Sequence, residues 1–142
     1  CLRCTYEIDA VKVVHDFGSS MNRAVDLGQV EGGIVQGIGW MTMEEIIYNE
    51  EGKLLSNALS TYKIPDIYAV PKILDVKFLN TDGNSMAILK SKAVGEPPLM
   101  YGIGAYFAIR NAVLAFNPAS DISYSAPITP EKVLMGLYSN GK

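Results

Sequence analysis

The chain has 142 residues, with 12 basic against 15 acidic side chains and a net charge of −3. That balance, with lysines and arginines scattered rather than in tracts, leaves no electrostatic footprint for nucleic acid. Half the residues are hydrophobic (49%), enough for the core of one domain or of a piece of a larger one, but no unbroken apolar run reaches the ~20 residues of a membrane span.

The first residues, Cys1-Leu2-Arg3-Cys4, follow no initiator Met, so a fragment of a larger subunit is the expectation. Cys1 and Cys4 have metal-ligand spacing but make only half of a site, since a zinc centre takes about four ligands and His15 is the sole histidine. Two ordinary thiols are the alternative. With no signal peptide in view, a reducing, cytoplasmic setting is expected.

Residues 10–15 are rich in β-branched side chains and predict a strand. His15 and Asp16 at its end could do acid/base chemistry. With no nucleophile beside them, a histidine bonded to nearby backbone is the plainer expectation. Asp26 is an N-cap candidate for a helix over residues 27–47. Five glycines fall inside it: Gly28, Gly32, Gly33, Gly37 and Gly39. Each costs about 1 kcal/mol against Ala, so something must lie close against the bared backbone to offset the loss. Another backbone, a sheet or a flat ligand would serve. Gln29, Gly33, Gln36 and Trp40 share one face, and two amides there could read the edge of a heterocycle or simply be solvated. Val30, Ile34 and Ile38 make a separate core stripe.

A turn at Glu50-Glu51-Gly52-Lys53 separates short strands over residues 46–49 and 53–55. Residues 60–65 are expected to be extended, and Pro65 and Pro71 oppose a helix across that region. Leu74, Val76 and Phe78 alternate with Asp75 and Lys77, which predicts a half-buried strand, followed by a turn at residues 81–84. Residues 103–116 predict a helix buried on nearly all sides, stopped by Asn117-Pro118. Thr129-Pro130-Glu131 opens a third helix with a cap, a proline at the first position and an acid in the first turn. Ser123-Tyr124-Ser125-Ala126-Pro127 is linker-like. The expected fold class is α+β in two layers, helices packed on a mixed β-sheet.

One stretch stands apart: Lys92-Ala93-Val94-Gly95-Glu96-Pro97-Pro98. Gly95 permits close approach of a backbone or ligand. The two prolines stiffen the turn and should push Glu96 out of the helical region. Glu96 then reads either as a placed carboxylate in an apolar pocket or as a solvated acid before a helix.

Three blocks in this order, Gly28-Gln29-Val30-Glu31-Gly32-Gly33-Ile34-Val35-Gln36-Gly37, Ser60-Thr61-Tyr62-Lys63-Ile64-Pro65 and Lys92 to Pro98, with His15-Asp16-Phe17-Gly18 ahead of them, carry a likeness. Together they resemble the C-terminal part of the molybdopterin-binding subunit of the xanthine dehydrogenase/aldehyde oxidase family, from about Val11 to Leu137. The resemblance implies a molybdenum cofactor, a pyranopterin in plain or nucleotide-extended form. It implies oxidative hydroxylation of a purine or other N-heteroaromatic substrate. Glu96 would be the catalytic base toward the metal-bound hydroxide. Gly95 would lie beside the metal, and Gln29, with Gln36 in the same motif, would contact the cofactor. Iron–sulfur and flavin groups would sit in other domains or subunits, with the remainder of the molybdenum subunit as partner. Two departures are visible: Arg23 stands where relatives often have proline, and the entry strand is short. The alternative is an inactive or purely structural module that binds no cofactor by itself and covers its apolar surface by docking or self-association.

Overall fold

A computed structural model describes residues 5–79, 81 and 86–138. Cys1 and Cys4, and most of the expected turn at residues 81–84, lie outside the described residues. The architecture is α+β. Strand β1 (Ala10–His15) leads to helix α1 (Arg23–Thr42), then to strand β2 (Ile73–Phe78), helix α2 (Gly102–Phe116) and helix α3 (Pro130–Tyr138). Of the four expected strands, those at residues 10–15 and 74–78 form, and those at 46–49 and 53–55 do not. Among the described residues the sheet is not mixed: β1 and β2 pair in parallel, from Ala10 opposite Ile73 to His15 opposite Phe78. A parallel pair needs a long crossover, and α1 with the loops after it supplies one.

The face of β1 that carries Val11, Val13 and His15 turns inward, while Lys12 and Val14 face out. Val30, Ile34 and Ile38 of α1 are almost wholly buried and, with Ala105, form a cluster against Val11, Val13, Leu74, Val76 and Phe78. That is the expected core stripe. A second cluster joins Met41, Tyr106, Ile109, Val113, Ile122 and Ile128, with Val133 and Leu137 of α3 packed on it. Tyr6 bridges the segments around this cluster: its hydroxyl faces the carbonyls of Thr42 (3.0 Å) and Ile128 (2.7 Å), and burial pushes its pKa up to about 12.

Helix α1 starts earlier than expected. Asn22, not Asp26, is the N-cap: its side chain accepts from the Val25 amide at 3.3 Å. Asp26 sits in the first turn and takes a bond from the Ser20 hydroxyl. Arg23 opens the helix at the first helical position, where proline is also well suited, and its guanidinium lies 5.3 Å from the centre of the Phe78 ring. The helix ends at Thr42 rather than near residue 47.

The hairpin around residues 50–53 is present, reduced to one antiparallel bridge between Tyr48 and Leu54, with Gly52 at φ +78° in the turn. Residues 60–65 are not simply extended. The amides of Thr61 and Tyr62 both bond the Ala58 carbonyl, and a 3₁₀ turn, Ile67–Ala69, fits between Pro65 and Pro71 under an Asp66 cap. Helix α2 buries one face only, through Ala105, Tyr106, Ile109 and Val113, and leaves Phe107 and Phe116 exposed. With the 3₁₀ segment before it, the stretch Pro97–Phe116 has the length and composition to cross a bilayer. Arg110, within it, bonds the Ile122 carbonyl and lies 3.7 Å from the Tyr124 ring centre, which ties the stretch into the protein's own core.

Candidate functional site

The glycines of α1 divide by what lies against them. A Cβ added to Gly33 would come within 2.7 Å of Pro98 Cβ and 3.3 Å of the Leu99 nitrogen. One turn later, a Cβ on Gly37 would run into the Leu99 carbonyl and sit 3.1 Å from Gly102 Cα. Gly39 packs on Pro65 in the same way. The backbone laid against Gly33 and Gly37 is therefore the 3₁₀ segment Pro97–Tyr101 and the first residue of α2. Gly28 and Gly32 meet nothing within 4 Å. With Gln29 and Gln36, both exposed, they make an open strip of low relief on α1.

The direction of this contact locates the two principal candidates. Moving along α1 from Gly33 to Gly37 moves the partner from Pro98 to Gly102, so the two segments run side by side in the same sense. One helical turn back from Gly33 is Gln29, and two residues back from Pro98 is Glu96. Both therefore occupy the same end of the contact, and both side chains are exposed. Gln36 lies on the far side of Gly33, about 10 Å along the axis from Gln29. The two amides share a face but not a level.

The backbone of Glu96 differs from expectation. It is in the right-handed helical region (φ −87°, ψ −40°) despite the proline that follows. The Leu99 amide bonds the Glu96 carbonyl at 3.1 Å, and Pro98 is buried on Gly33, so tertiary packing overrides the local preference. Of the two readings of the Glu96 side chain, the exposed one agrees with the structure, and the side chain makes no capping bond. Gly95 is likewise open, with nothing within 4 Å of an added Cβ.

His15 does not bond nearby backbone. It is 4% exposed, and its Nδ1 lies 2.6 Å from the Tyr101 hydroxyl, the last residue of the 3₁₀ segment that Glu96 opens. Burial raises the Tyr101 pKa, so the hydroxyl keeps its proton at neutral pH. The rings meet edge to face at 5.8 Å, and His15 stacks on Phe17 at 6.0 Å. Nε2 is buried without a hydrogen-bond partner among the described residues.

Asp16 was paired with His15 only as a candidate acid or base, yet it is a structural anchor. It accepts from Lys92 Nζ (2.5 Å), Thr81 Oγ1 (2.7 Å) and the Gly18 amide (3.0 Å). The bonds from Lys92, Thr81 and Gly18 lower its pKa to about 2. The stabilisation from these bonds is complete above the ordinary carboxyl value of about 4 and is lost as pH falls through the depressed one. Denaturant titrations of Asp16→Asn and the parent should therefore differ near neutrality and converge towards pH 2. A constant difference across that window would show that the carboxylate's charge is not what stabilises the loop. Neither the Lys92 pairing nor the Tyr101 pairing was readable in advance, since the partners lie 76 and 86 residues apart.

Among the described residues no group of three or more His, Cys, Asp or Glu side chains could hold a metal directly.

Residues 1–71 match the family model described as a molybdopterin cofactor-binding domain. That span includes Gln29 and Gln36 but not Gly95 or Glu96. Similarity to curated proteins covers both halves. The chain is 41% identical over 140 residues to xanthine dehydrogenase/oxidase of Felis catus and 40% identical over 139 residues to aldehyde oxidase 1 of Oryctolagus cuniculus, covering 94% and 95% of this chain. It spans only about a tenth (10%) of the length of these relatives. Among solved structures it is similar to quinoline 2-oxidoreductase from Pseudomonas putida 86 (TM-score 0.76, 32% identity, 87% of this chain and 15% of that one). It is also similar to aldehyde oxidoreductase from Desulfovibrio gigas (TM-score 0.69, 30% identity, 92% of this chain and 13% of that one).

Proposed function

We propose a function from one premise: the chain belongs to the molybdopterin cofactor-binding domain family. Its cofactor class is the molybdenum cofactor, and its relatives are oxidoreductases. Our reading is that this chain supplies one wall of the cofactor site and the catalytic base of a molybdenum hydroxylase acting on a purine or related N-heteroaromatic compound. The observation that carries it is the shared level of Gln29 and Glu96, an amide and a carboxylate exposed at the same end of the α1 contact beside bare glycine backbone.

The residues fit such a group. Gly28 and Gly32 leave a helix face with no side chain to hold a flat molecule away, and Gly95 does the same on the opposite segment. Gln29, donor and acceptor at once, can bond the polar rim of a pterin. Gln36, a level away, can meet only a more distant part. When bound, the cofactor supplies the two-electron redox and oxygen-transfer chemistry. Glu96 would supply a proton acceptor, a carboxyl group whose Oε atoms take the proton that the oxygen nucleophile gives up. Pro97 and Pro98 hold that carboxylate on a short, stiff lead into α2, so orientation costs little at the moment of reaction.

Xanthine dehydrogenase and quinoline 2-oxidoreductase carry N-heteroaromatic compounds in their names, which supports that substrate class, while aldehyde oxidase 1 and aldehyde oxidoreductase carry aldehydes in theirs. The rest of the enzyme is the natural cover for exposed Leu59, Ile67, Tyr68, Met86 and Ile88. Iron–sulfur and flavin groups, where the enzyme uses them, belong to other parts of it.

The test separates binding from chemistry in the complete enzyme. Gln29→Leu should lower the molybdenum and pterin content of purified protein, and Glu96→Gln should leave that content unchanged while turnover falls. Full cofactor content in Gln29→Leu together with near-normal turnover in Glu96→Gln would defeat the reading.

A further inference from the structure

Beyond the site itself, we infer that the exit of β1, residues 15–18, is a clamp that grips the Glu96 segment on both sides, with Asp16 and His15 as positioning residues. The inference rests on the reading of Glu96 as the base.

The contacts are laid out in pairs around Glu96. Upstream, Gly18 and Ser91 form an antiparallel bridge. The Lys92 amide donates to the Phe17 carbonyl at 2.6 Å, and the Ser19 amide donates to the Lys90 carbonyl at 3.0 Å. Lys92 Nζ meets Asp16 Oδ2 at 2.5 Å. Downstream, His15 Nδ1 and the Tyr101 hydroxyl are 2.6 Å apart. Four consecutive residues of one strand exit thus hold positions 91, 92 and 101. Between those points regular hydrogen bonding is confined to the 3₁₀ segment Pro97–Tyr101. The Leu99 amide bonds the Glu96 carbonyl, while the amides of Ala93, Val94 and Gly95 make no backbone bond among the described residues. The carboxylate stands on an arch fixed at its two feet.

The arch cannot be held by its own burial, because Ala93, Gly95, Glu96 and Pro97 are exposed. Its apolar attachments are Val94 and Pro98, against α1. Pro98 seated on Gly33 sets both the distance of the arch from the helix and its level along the axis. The bonds at the two feet hold the residues on either side of that seat, which the packing of Pro98 does not reach. The aromatic wedge of His15, Phe17, Phe78 and Tyr101 keeps the strand exit itself rigid, with Phe17 edge-on to Phe78 at 4.3 Å.

The experiment uses the complete enzyme with Asp16→Asn, which weakens the upstream foot, and Tyr101→Phe, which removes the downstream bond but keeps the ring. Each should speed hydrogen exchange at the Ser19, Lys92 and Leu99 amides by about tenfold, with the β2 and α1 amides unchanged. Each should lower kcat by about tenfold with KM within about twofold, since a misplaced base costs rate rather than binding. Added to Glu96→Gln, neither should lower kcat further. Unchanged exchange at those three amides, equal acceleration in β2 and α1, or fully additive losses with Glu96→Gln would overturn the clamp. Near-normal turnover in Glu96→Gln alone would overturn the reading of the base instead, and the exchange result would still decide the clamp.

Discussion

Glu96→Gln in the complete enzyme is expected to lower kcat by about 10²- to 10⁴-fold, the usual contribution of a positioned general base. The amide has nearly the carboxylate's shape and keeps an acceptor oxygen, but it cannot take a proton at neutral pH. Little else should change. The Glu96 side chain is exposed and makes no capping bond, so no packing or hydrogen bond is lost and stability should stay within about 0.5 kcal/mol. Cofactor content should also be kept, because our reading assigns the cofactor contact to Gln29. Gln36→Leu is the matched control: an exposed amide on the same helix face, two turns further on, and its effect on kcat should be far smaller. Steady-state kinetics with metal analysis of the same preparations checks all of this. A Gln36→Leu loss as large as that of Glu96→Gln would mean the level of the site along α1 has been misjudged.

How much of this was legible beforehand depends on the range of the interaction. Residues 10–15 and the alternation of Leu74, Val76 and Phe78 declare their strands, because strand formation there follows side-chain type and period. That the strands pair in parallel is not written locally, since His15 and Phe78 meet only through the crossover. The start of α1 was missed because Asn22 and Asp26 are both good caps, and the turn between them carries no apolar period to decide the matter. Five glycines counted along the chain read as one strip. In space they split, because each residue advances about 100° around the helix and the partner segment covers only the side of Gly33 and Gly37. At the site, the family resemblance supplied Gln29, Gln36, Gly95 and Glu96. The Asp16–Lys92 and His15–Tyr101 pairs had no sequence signature, because an isolated aspartate or tyrosine does not reveal a partner many residues away. Glu96 itself went against the local rule, taking a helical backbone before proline because Pro98 packs on Gly33.

The crossing of α1 and α2 yields the largest expected effect on stability, with opposite signs at neighbouring glycines. Gly102→Ala should destabilise the fold by about 2–3 kcal/mol or more, in the upper range for overpacking. A Cβ there would press on the carbonyl group of Gly37 and come within 2.6 Å of its Cα, and both backbones belong to helices that cannot move apart without opening the core. Gly37→Ala should behave alike, striking the Leu99 carbonyl. The helix propensity gained, about 1 kcal/mol, is too small to offset the clash. Gly32→Ala, only five positions before Gly37, gains the same propensity with nothing within 4 Å and should stabilise by about 0.5–1 kcal/mol. Thermal and denaturant melts of the three variants decide between this account and one in which all five glycines serve the cofactor alone. In that second case Gly37→Ala would melt no lower than the parent. Gly32→Ala joins the stability argument to the functional one: a methyl group on the open strip should raise the melting temperature and lower pterin retention together. A cofactor face is the reason a helix would keep glycine where alanine fits, and a Gly32→Ala protein that is both more stable and fully loaded would remove that reason.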